Sequence, residues 1–159
     1  MSTRLIYLTG LVLVGLLLSI SVYLQLYDGF IPCPLCTLQR LCFVTLGIWF
    51  LFGLFLHRNQ LGRAIINSLS VLTSALGCAL AGRQIWLQHF PNANANECGV
   101  SLQYMMKVLS FNELIQKIFT GSAECTQLGW EFLSLSMAEW SVVWFIFFLA
   151  LTIYLLRKS

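Results

Sequence analysis

Long runs of apolar residues without a charged side chain dominate the chain. A helix needs roughly 20 such residues to cross the hydrocarbon core of a bilayer. Four runs reach or approach that length, and three of them extend into neighbouring residues. They are Leu5–Leu26, Leu41–Leu56, Ala64–Gly82 (which continues past Arg83 to Phe90) and Trp140–Leu156. The pattern predicts four membrane-spanning helices, at about residues 5–26, 38–57, 64–90 and 138–156.

The segment between the third and fourth runs has a different pattern. Apolar residues recur there at helical spacing, in one stripe from Leu102 to Leu109 and another from Phe111 to Phe119. Ser110 and Glu113 have the spacing of a capping box in front of the second stripe. We expect one or two short amphipathic helices, either lying on the membrane surface or packing on the ends of the bundle.

Composition excludes the common alternatives to a membrane protein. The 159 residues are 58% hydrophobic and only 9% charged, whereas a soluble domain carries about a quarter charged residues. The nine basic residues are scattered and the net charge is +3, so the sequence has no nucleic-acid-binding patch. The prediction is one all-α integral membrane domain over residues 1–159, a four-helix bundle with a short amphipathic helical loop.

The first run could also be read as a signal peptide, because Arg4 precedes it and small residues lie within it. Its apolar character continues without a break to Leu26, which is too long for a typical signal peptide and favours a retained span. Basic residues lie mainly at both ends of the chain and between the second and third spans. Basic residues concentrate on the cytoplasmic side. We therefore expect both termini in the cytoplasm of a bacterial inner-membrane protein, and loops 27–37 and 91–137 in the periplasm.

This orientation sorts the six cysteines. Cys42 and Cys78 fall within spans, where they are interpreted as small core residues. Cys33, Cys36, Cys98 and Cys125 fall on the oxidising side, where disulfides persist. These four could form redox pairs, permanent structural disulfides or an all-thiolate zinc site. Cys98 and Cys125, however, lack the close spacing that is typical of zinc knuckles. The prediction is four catalytic cysteines and no metal.

Cys33 and Cys36 form a C-x-x-C pair where the chain re-enters the membrane. Such pairs commonly serve redox exchange, and a helix N-terminus favours the thiolate. Arg40 lies one helical turn beyond Cys36 and is expected either to stabilise that thiolate or to extend to lipid phosphate. Near the outer end of the third span, Gln84 could donate a hydrogen bond to a carbonyl oxygen.

Five segments of the chain carry a recognisable set of motifs. They are Cys33-Pro-Leu-Cys36-Thr-Leu-Gln-Arg40, Arg83-Gln-Ile-Trp-Leu-Gln-His-Phe-Pro91, Glu97-Cys98-Gly99, Thr120-Gly-Ser-Ala-Glu-Cys125 and Trp130-Glu-Phe-Leu-Ser-Leu-Ser-Met137. In order and spacing they resemble the DsbB family, the bacterial disulfide bond formation protein B, over about residues 27–156. One departure is Gln84, because many members of that quinone-linked family have a histidine at this position, which is linked to the quinone.

The resemblance implies a relay in which a DsbA-like periplasmic thiol oxidase is reoxidised and ubiquinone or menaquinone takes the electrons. Cys98 would form the mixed disulfide with the partner, and Cys125 would resolve it through a disulfide with Cys33. Cys36 would then face the quinone. Arg40, Gln84 and Met137 are the expected cofactor-binding residues.

Two other functions fit parts of the pattern. Vitamin K epoxide reductase-like enzymes are also quinone-linked bundles with a C-x-x-C motif. Their motif lies on a late span and their loop pair comes earlier, the reverse of the order in this chain. A non-enzymatic membrane scaffold held by two permanent disulfides would keep both cysteine pairs oxidised in the presence of a reduced partner.

Overall fold

The computed structural model describes residues 3–28, 33–90, 110, 112–113, 131–132 and 135–157. It contains four long helices and a two-stranded hairpin immediately before the last helix. Each helix is long and apolar enough to cross a membrane, which confirms the predicted all-α membrane fold. The elements are α1 (Thr3–Asp28), α2 (Pro34–Leu56), α3 (Gln60–His89), β1 (Glu131–Phe132), β2 (Leu135–Ser136) and α4 (Met137–Arg157).

The start of α2 is fixed by its own sequence. Pro34 occupies the first turn, where a missing backbone N–H costs nothing. Cys33 caps the helix, since its sulfur accepts a hydrogen bond from the backbone N–H of Cys36. The helix therefore begins four residues before the predicted membrane span, which starts at residue 38. As a result, both cysteines of the C-x-x-C pair lie at the first turn of α2.

Aromatic side chains fill the centre of the bundle. Helix α2 packs between α1 and α3, and α3 packs against α4. The rings of Phe43 and Phe145 stack with centroids 4.1 Å apart, and Phe148 meets Phe43 edge-on. A glycine, Gly77, lets α3 approach this stack, because a Cβ there would lie 2.3 Å from the Phe145 ring.

The outer surface of the helices is apolar as well. Large hydrophobic side chains such as Leu16, Leu72 and Phe147 are exposed along the bundle. A soluble protein rarely leaves so much apolar surface in contact with water. These faces suit contact with lipid chains, in agreement with the four candidate membrane spans.

Most of the buried polar side chains that the structure describes have hydrogen-bond partners within the bundle. Ser70, Ser74 and Thr152 each donate a side-chain hydrogen bond to the backbone carbonyl four residues earlier. The hydroxyl of the buried Tyr7 donates to Asn67 Oδ1 at 2.7 Å. These bonds satisfy hydroxyl groups that would otherwise be costly to bury in an apolar interior.

A capping box that the sequence analysis did not predict starts α4. The backbone N–H of Ser136 donates to a Glu139 carboxylate oxygen at 2.6 Å, and the backbone N–H of Glu139 donates to Ser136 Oγ at 3.4 Å. This reciprocal pair satisfies donors at the helix N-terminus. It also fixes the point at which the hairpin turns into α4.

The predicted cap at Ser110 is present in part. Both the hydroxyl and the backbone N–H of Ser110 donate to the Glu113 carboxylate, and these bonds lower the pKa of Glu113. Asn112 and Glu113 are helical. The rest of the predicted amphipathic helices lies outside the described residues.

Candidate functional site

The candidate site is built around the dithiol at the start of α2. Cys33 is almost completely buried, with 3% of its surface exposed, and Cys36 is half-buried. Their sulfur atoms lie 2.8 Å apart, within hydrogen-bonding distance. The backbone N–H and the hydroxyl of Thr37 both donate to the carbonyl oxygen of Cys33. The pair is thus held by the first turn of the helix, with the two sulfur atoms close to each other.

Two buried glutamines lie behind Cys36. The side-chain amide of Gln84 donates to Cys36 Sγ at 3.0 Å. The amide of Gln39 in turn donates to Gln84 Oε1 at 2.7 Å. The sequence predicts Gln84 as a cofactor-binding residue that could donate to a carbonyl oxygen; in the structure, its amide donates to the sulfur of Cys36. Gln39 is not among the predicted site residues, although a polar residue three positions after Cys36 in an apolar helix is a signal that could have identified it.

Arg40 is turned toward α1. One guanidinium nitrogen donates to the carbonyl oxygen of Ser21 at 3.2 Å, and another donates to Gln25 Oε1. The side chain is half-buried. These bonds tie the guanidinium to protein acceptors, which favours a role within the bundle over extension to lipid phosphate. They connect α1 and α2 at the level of the dithiol.

A cavity of about 310 Å³ opens between α1, α2 and α4. Cys36, Arg40 and Met137 all line it, so the structure brings these three predicted site residues together. Gln84 lies one layer behind, against the Cys36 sulfur. The other walls are mostly apolar and aromatic. They are formed by Leu17, Leu18, Ile20 and Leu24 of α1, Phe43 of α2, and Ala138, Trp140 and Trp144 of α4, with Ser21, Gln39 and Ser141 as polar positions.

The remaining cysteines divide into two groups. Cys42 belongs to the buried core, and the half-buried Cys78 packs against it. The predicted catalytic residues Cys98 and Cys125 lie outside the described residues. Within the part of the chain that the structure describes, no three His, Cys, Asp or Glu residues come together in a way that could hold a metal ion.

Comparison with known proteins identifies the family. The family model for "Disulfide bond formation protein DsbB" matches residues 3–155. The chain belongs to the DsbB family. Among curated DsbB-family relatives named "Disulfide bond formation protein B", one from Xylella fastidiosa (strain 9a5c) is 39% identical over 140 residues, covering 87% of this chain and 81% of the relative. One from Hahella chejuensis (strain KCTC 2396) is 36% identical over 150 residues, covering 94% and 91%.

Membership of the DsbB family gives the dithiol a chemical context. The protein is a multi-pass membrane protein with disulfide oxidoreductase activity, and it acts in disulfide bond formation. The family acts in this process with a thiol oxidase partner. The DsbB family match covers the cavity-lining parts of α1, α2 and α4.

Proposed function

We propose that the protein reoxidises a DsbA-type periplasmic thiol oxidase and passes the electrons to ubiquinone or menaquinone. The observation that carries the proposal is the position of Cys36. Its sulfur belongs to a close dithiol pair, and the same residue lines an apolar cavity among membrane-spanning helices. A thiol couple and a lipid-soluble acceptor could therefore meet at one residue.

The cavity has the character of a quinone site. Its volume of about 310 Å³ lies at the lower end of the range for small-molecule pockets, roughly 300–1,000 Å³. Trp144 and Phe43 offer flat apolar surfaces for a ring, and Arg40 brings hydrogen-bond donors suited to a carbonyl oxygen. Arg40 and Met137 are the residues that we propose would hold the quinone.

The dithiol and its neighbours supply the protein's share of the chemistry. A quinone bound in the cavity would accept the two electrons and two protons released when Cys33 and Cys36 close to a disulfide. The Arg40 guanidinium on the same cavity wall stabilises negative charge on Cys36. The apolar walls keep water away from the sulfur, which strengthens that electrostatic effect.

The loop cysteines would carry electrons from the partner to the dithiol. In this proposal a partner thiolate attacks Cys98, and the resulting mixed disulfide releases the thiol of Cys125. Cys125 then attacks Cys33, forming the inter-loop disulfide and freeing Cys36 to face the cavity. Each exchange breaks one disulfide and forms another. The second partner thiol then attacks the mixed disulfide and releases Cys98, which attacks Cys125 and frees Cys33. This restores the Cys98–Cys125 disulfide and leaves Cys33 and Cys36 as the dithiol that the quinone would reoxidise, so one partner dithiol is oxidised for each quinone reduced.

The relay requires both thiol pairs to be on the same side of the membrane. The distribution of basic residues supports an inner-membrane orientation with both termini in the cytoplasm. Loops 27–37 and 91–137 would then face the periplasm, where the partner resides. In this chain the C-x-x-C motif comes before the loop cysteine pair, whereas in vitamin K epoxide reductase-like enzymes it comes after. This order distinguishes the proposal from an enzyme of that type.

Purified protein mixed with ubiquinone and a reduced DsbA-type partner tests the function. We expect catalytic loss of quinone absorbance together with oxidation of the partner. Replacing Cys36 with serine should stop turnover, because no disulfide can then form next to the cavity. The Cys42→Ser variant is the matched control: Cys42 lies on the same helix in the buried core, and this variant should retain activity.

The alternatives give different results in the same assay. A scaffold with permanent disulfides would leave both the partner and the quinone unchanged. Full turnover by the Cys36→Ser variant would contradict the proposed role of the dithiol. The assay repeated with menaquinone determines which quinone is preferred.

A further inference from the structure

A chain of two hydrogen bonds ends on the sulfur of Cys36. Gln39 donates to Gln84 Oε1 at 2.7 Å, and Gln84 donates to Cys36 Sγ at 3.0 Å. Both glutamines have only 4% of their surface exposed. An amide buried this deeply in an apolar interior needs its hydrogen bonds, since an unsatisfied polar group there costs free energy.

The first bond of the chain determines the direction of the second. A glutamine amide presents a carbonyl oxygen on one side and an NH2 group on the other. Because Gln39 donates to the oxygen of Gln84, the NH2 group of Gln84 is directed to the sulfur. Turning the Gln84 amide over would place two NH2 groups against each other and an oxygen against Cys36. With Gln39 as the donor, only one orientation of the Gln84 amide forms both bonds, and in that orientation Gln84 donates to the sulfur.

We propose that Gln84, oriented by Gln39, is a positioning residue that stabilises the Cys36 thiolate and thereby makes the Cys33–Cys36 couple more oxidising. A thiolate accepts a hydrogen bond far more strongly than a disulfide sulfur does, because the bond is charge-assisted. The donor therefore favours the reduced couple over the disulfide. Burial of the two glutamines strengthens the preference, since the local dielectric is low.

The consequence for the relay rests on the proposed function. A more oxidising Cys33–Cys36 couple draws electrons inward from the loop cysteines. Gln84 would then act on the sulfur itself, from the side facing α3. Arg40, which bonds α1, would act from the cavity. Neither glutamine changes charge, so this part of the thiolate's stabilisation comes from neutral donors.

The test measures the redox equilibrium of the couple without quinone or partner. Full-length protein with Cys98→Ser and Cys125→Ser is equilibrated in detergent at pH 7 with a series of glutathione to glutathione disulfide ratios. Two glutathione molecules reduce the Cys33–Cys36 disulfide, forming two thiols and one glutathione disulfide. In the Gln84→Met variant the equilibrium constant for reduction should fall about tenfold, which corresponds to a potential about 30 mV more negative.

A double-mutant cycle tests whether Gln39 acts through Gln84. The Gln39→Met variant should shift the constant several-fold in the same direction. The Gln39→Met/Gln84→Met double variant should be no further shifted than Gln84→Met alone, because the donor is already lost. An additive effect of the two substitutions would contradict the orienting role of Gln39.

Gln88 provides a matched control one helical turn away on α3. It accepts a hydrogen bond from Ser136 at 3.1 Å and does not belong to the hydrogen-bond chain that ends on sulfur. Gln88→Met should leave the constant within twofold of the parent. A second readout is the rate at which iodoacetamide alkylates Cys36 at fixed pH, which follows the thiolate fraction and should fall several-fold in Gln84→Met.

The outcomes separate this inference from the proposed function. An unchanged constant and alkylation rate in a folded Gln84→Met variant would overturn it. If that variant does not fold, an unchanged constant in Gln39→Met would do so. Absence of quinone-dependent turnover in the protein with all six cysteines, with the redox shift intact in the variants, would overturn the relay and leave the role of the glutamines standing.

Discussion

Single side chains determine the chemistry at the start of α2. Arg40 carries a permanent charge in a membrane-spanning helix, a position that costs roughly 2.5–3.5 kcal/mol at the bilayer centre and less near the edge. Its bonds to Ser21 and Gln25 offset part of this cost and hold the guanidinium at the cavity wall. The planar guanidinium can hold several acceptors in fixed directions at once. An ammonium group cannot reproduce that arrangement.

We therefore expect Arg40→Lys to lower kcat/KM for quinone by about tenfold, the effect of losing one or two hydrogen bonds of about 1 kcal/mol each. Quinone-dependent oxidation of the reduced partner, measured over a range of quinone concentrations, gives this ratio. Arg58→Lys is the control, since Arg58 is exposed in the turn between α2 and α3. An effect of Arg40→Lys no larger than that of Arg58→Lys would contradict the need for a guanidinium and show that a positive charge at position 40 is sufficient.

At the scale of the helices, the close packing of α3 on α4 helps to position the side chains that line the cavity. Gly77 allows the approach, and Phe145 from α4 stacks on Phe43, which lines the cavity from α2. The packing that stabilises the bundle is therefore continuous with the site. A change at the interface between α3 and α4 would be transmitted to the cavity through two aromatic rings.

Gly77→Ala should destabilise the protein by about 1–3 kcal/mol, the usual cost of overpacking a filled core. The added Cβ would lie 2.3–2.5 Å from three atoms of the buried Phe145 ring. Gly82→Ala, on the same helix, meets nothing within 4 Å and should be neutral. The thermal unfolding midpoint in detergent measures both. A stable Gly77→Ala variant would show that the ring can move away at little cost.

For the whole molecule, the relay depends on placing two thiol pairs at one face of the membrane. The structure puts the Cys33–Cys36 pair at one end of α2, and the turn at Arg58 and Asn59 at the other. Since α2 is long enough to span the bilayer, these two positions should face opposite compartments. The loop that holds Cys98 must lie on the same side as the dithiol if the relay is to operate.

Labelling with a membrane-impermeant maleimide tests this arrangement in whole cells. With the other five cysteines replaced by serine, Cys98 should react from the periplasmic side without permeabilisation. In a chain without native cysteines, the Asn59→Cys variant should react only after the membrane is permeabilised; Asn59 is exposed, so access to the side chain is not limiting. Labelling of both positions from one side would contradict the proposed topology.

The sequence by itself determined the class of the fold and the family. A backbone that crosses the hydrocarbon core of a bilayer has to satisfy its own hydrogen bonds, which a helix does within one segment. Uncharged apolar runs were therefore enough to predict four helices. The C-x-x-C pair with Arg40 one turn later is a local feature, and the geometry of a single helix predicts its arrangement. Resemblance of the surrounding motifs to the DsbB family added the proposed roles of Cys98 and Cys125.

Only the tertiary structure decided which polar groups meet the sulfur and the guanidinium. Gln84 reaches Cys36 across 48 positions of the chain, and Gln39 reaches Gln84 across 45. Arg40 reaches Gln25 across 15. No helical periodicity encodes such contacts, because they depend on how neighbouring helices are rotated and how closely they approach. That rotation and approach follow from packing, with Gly77 against Phe145 as one determinant.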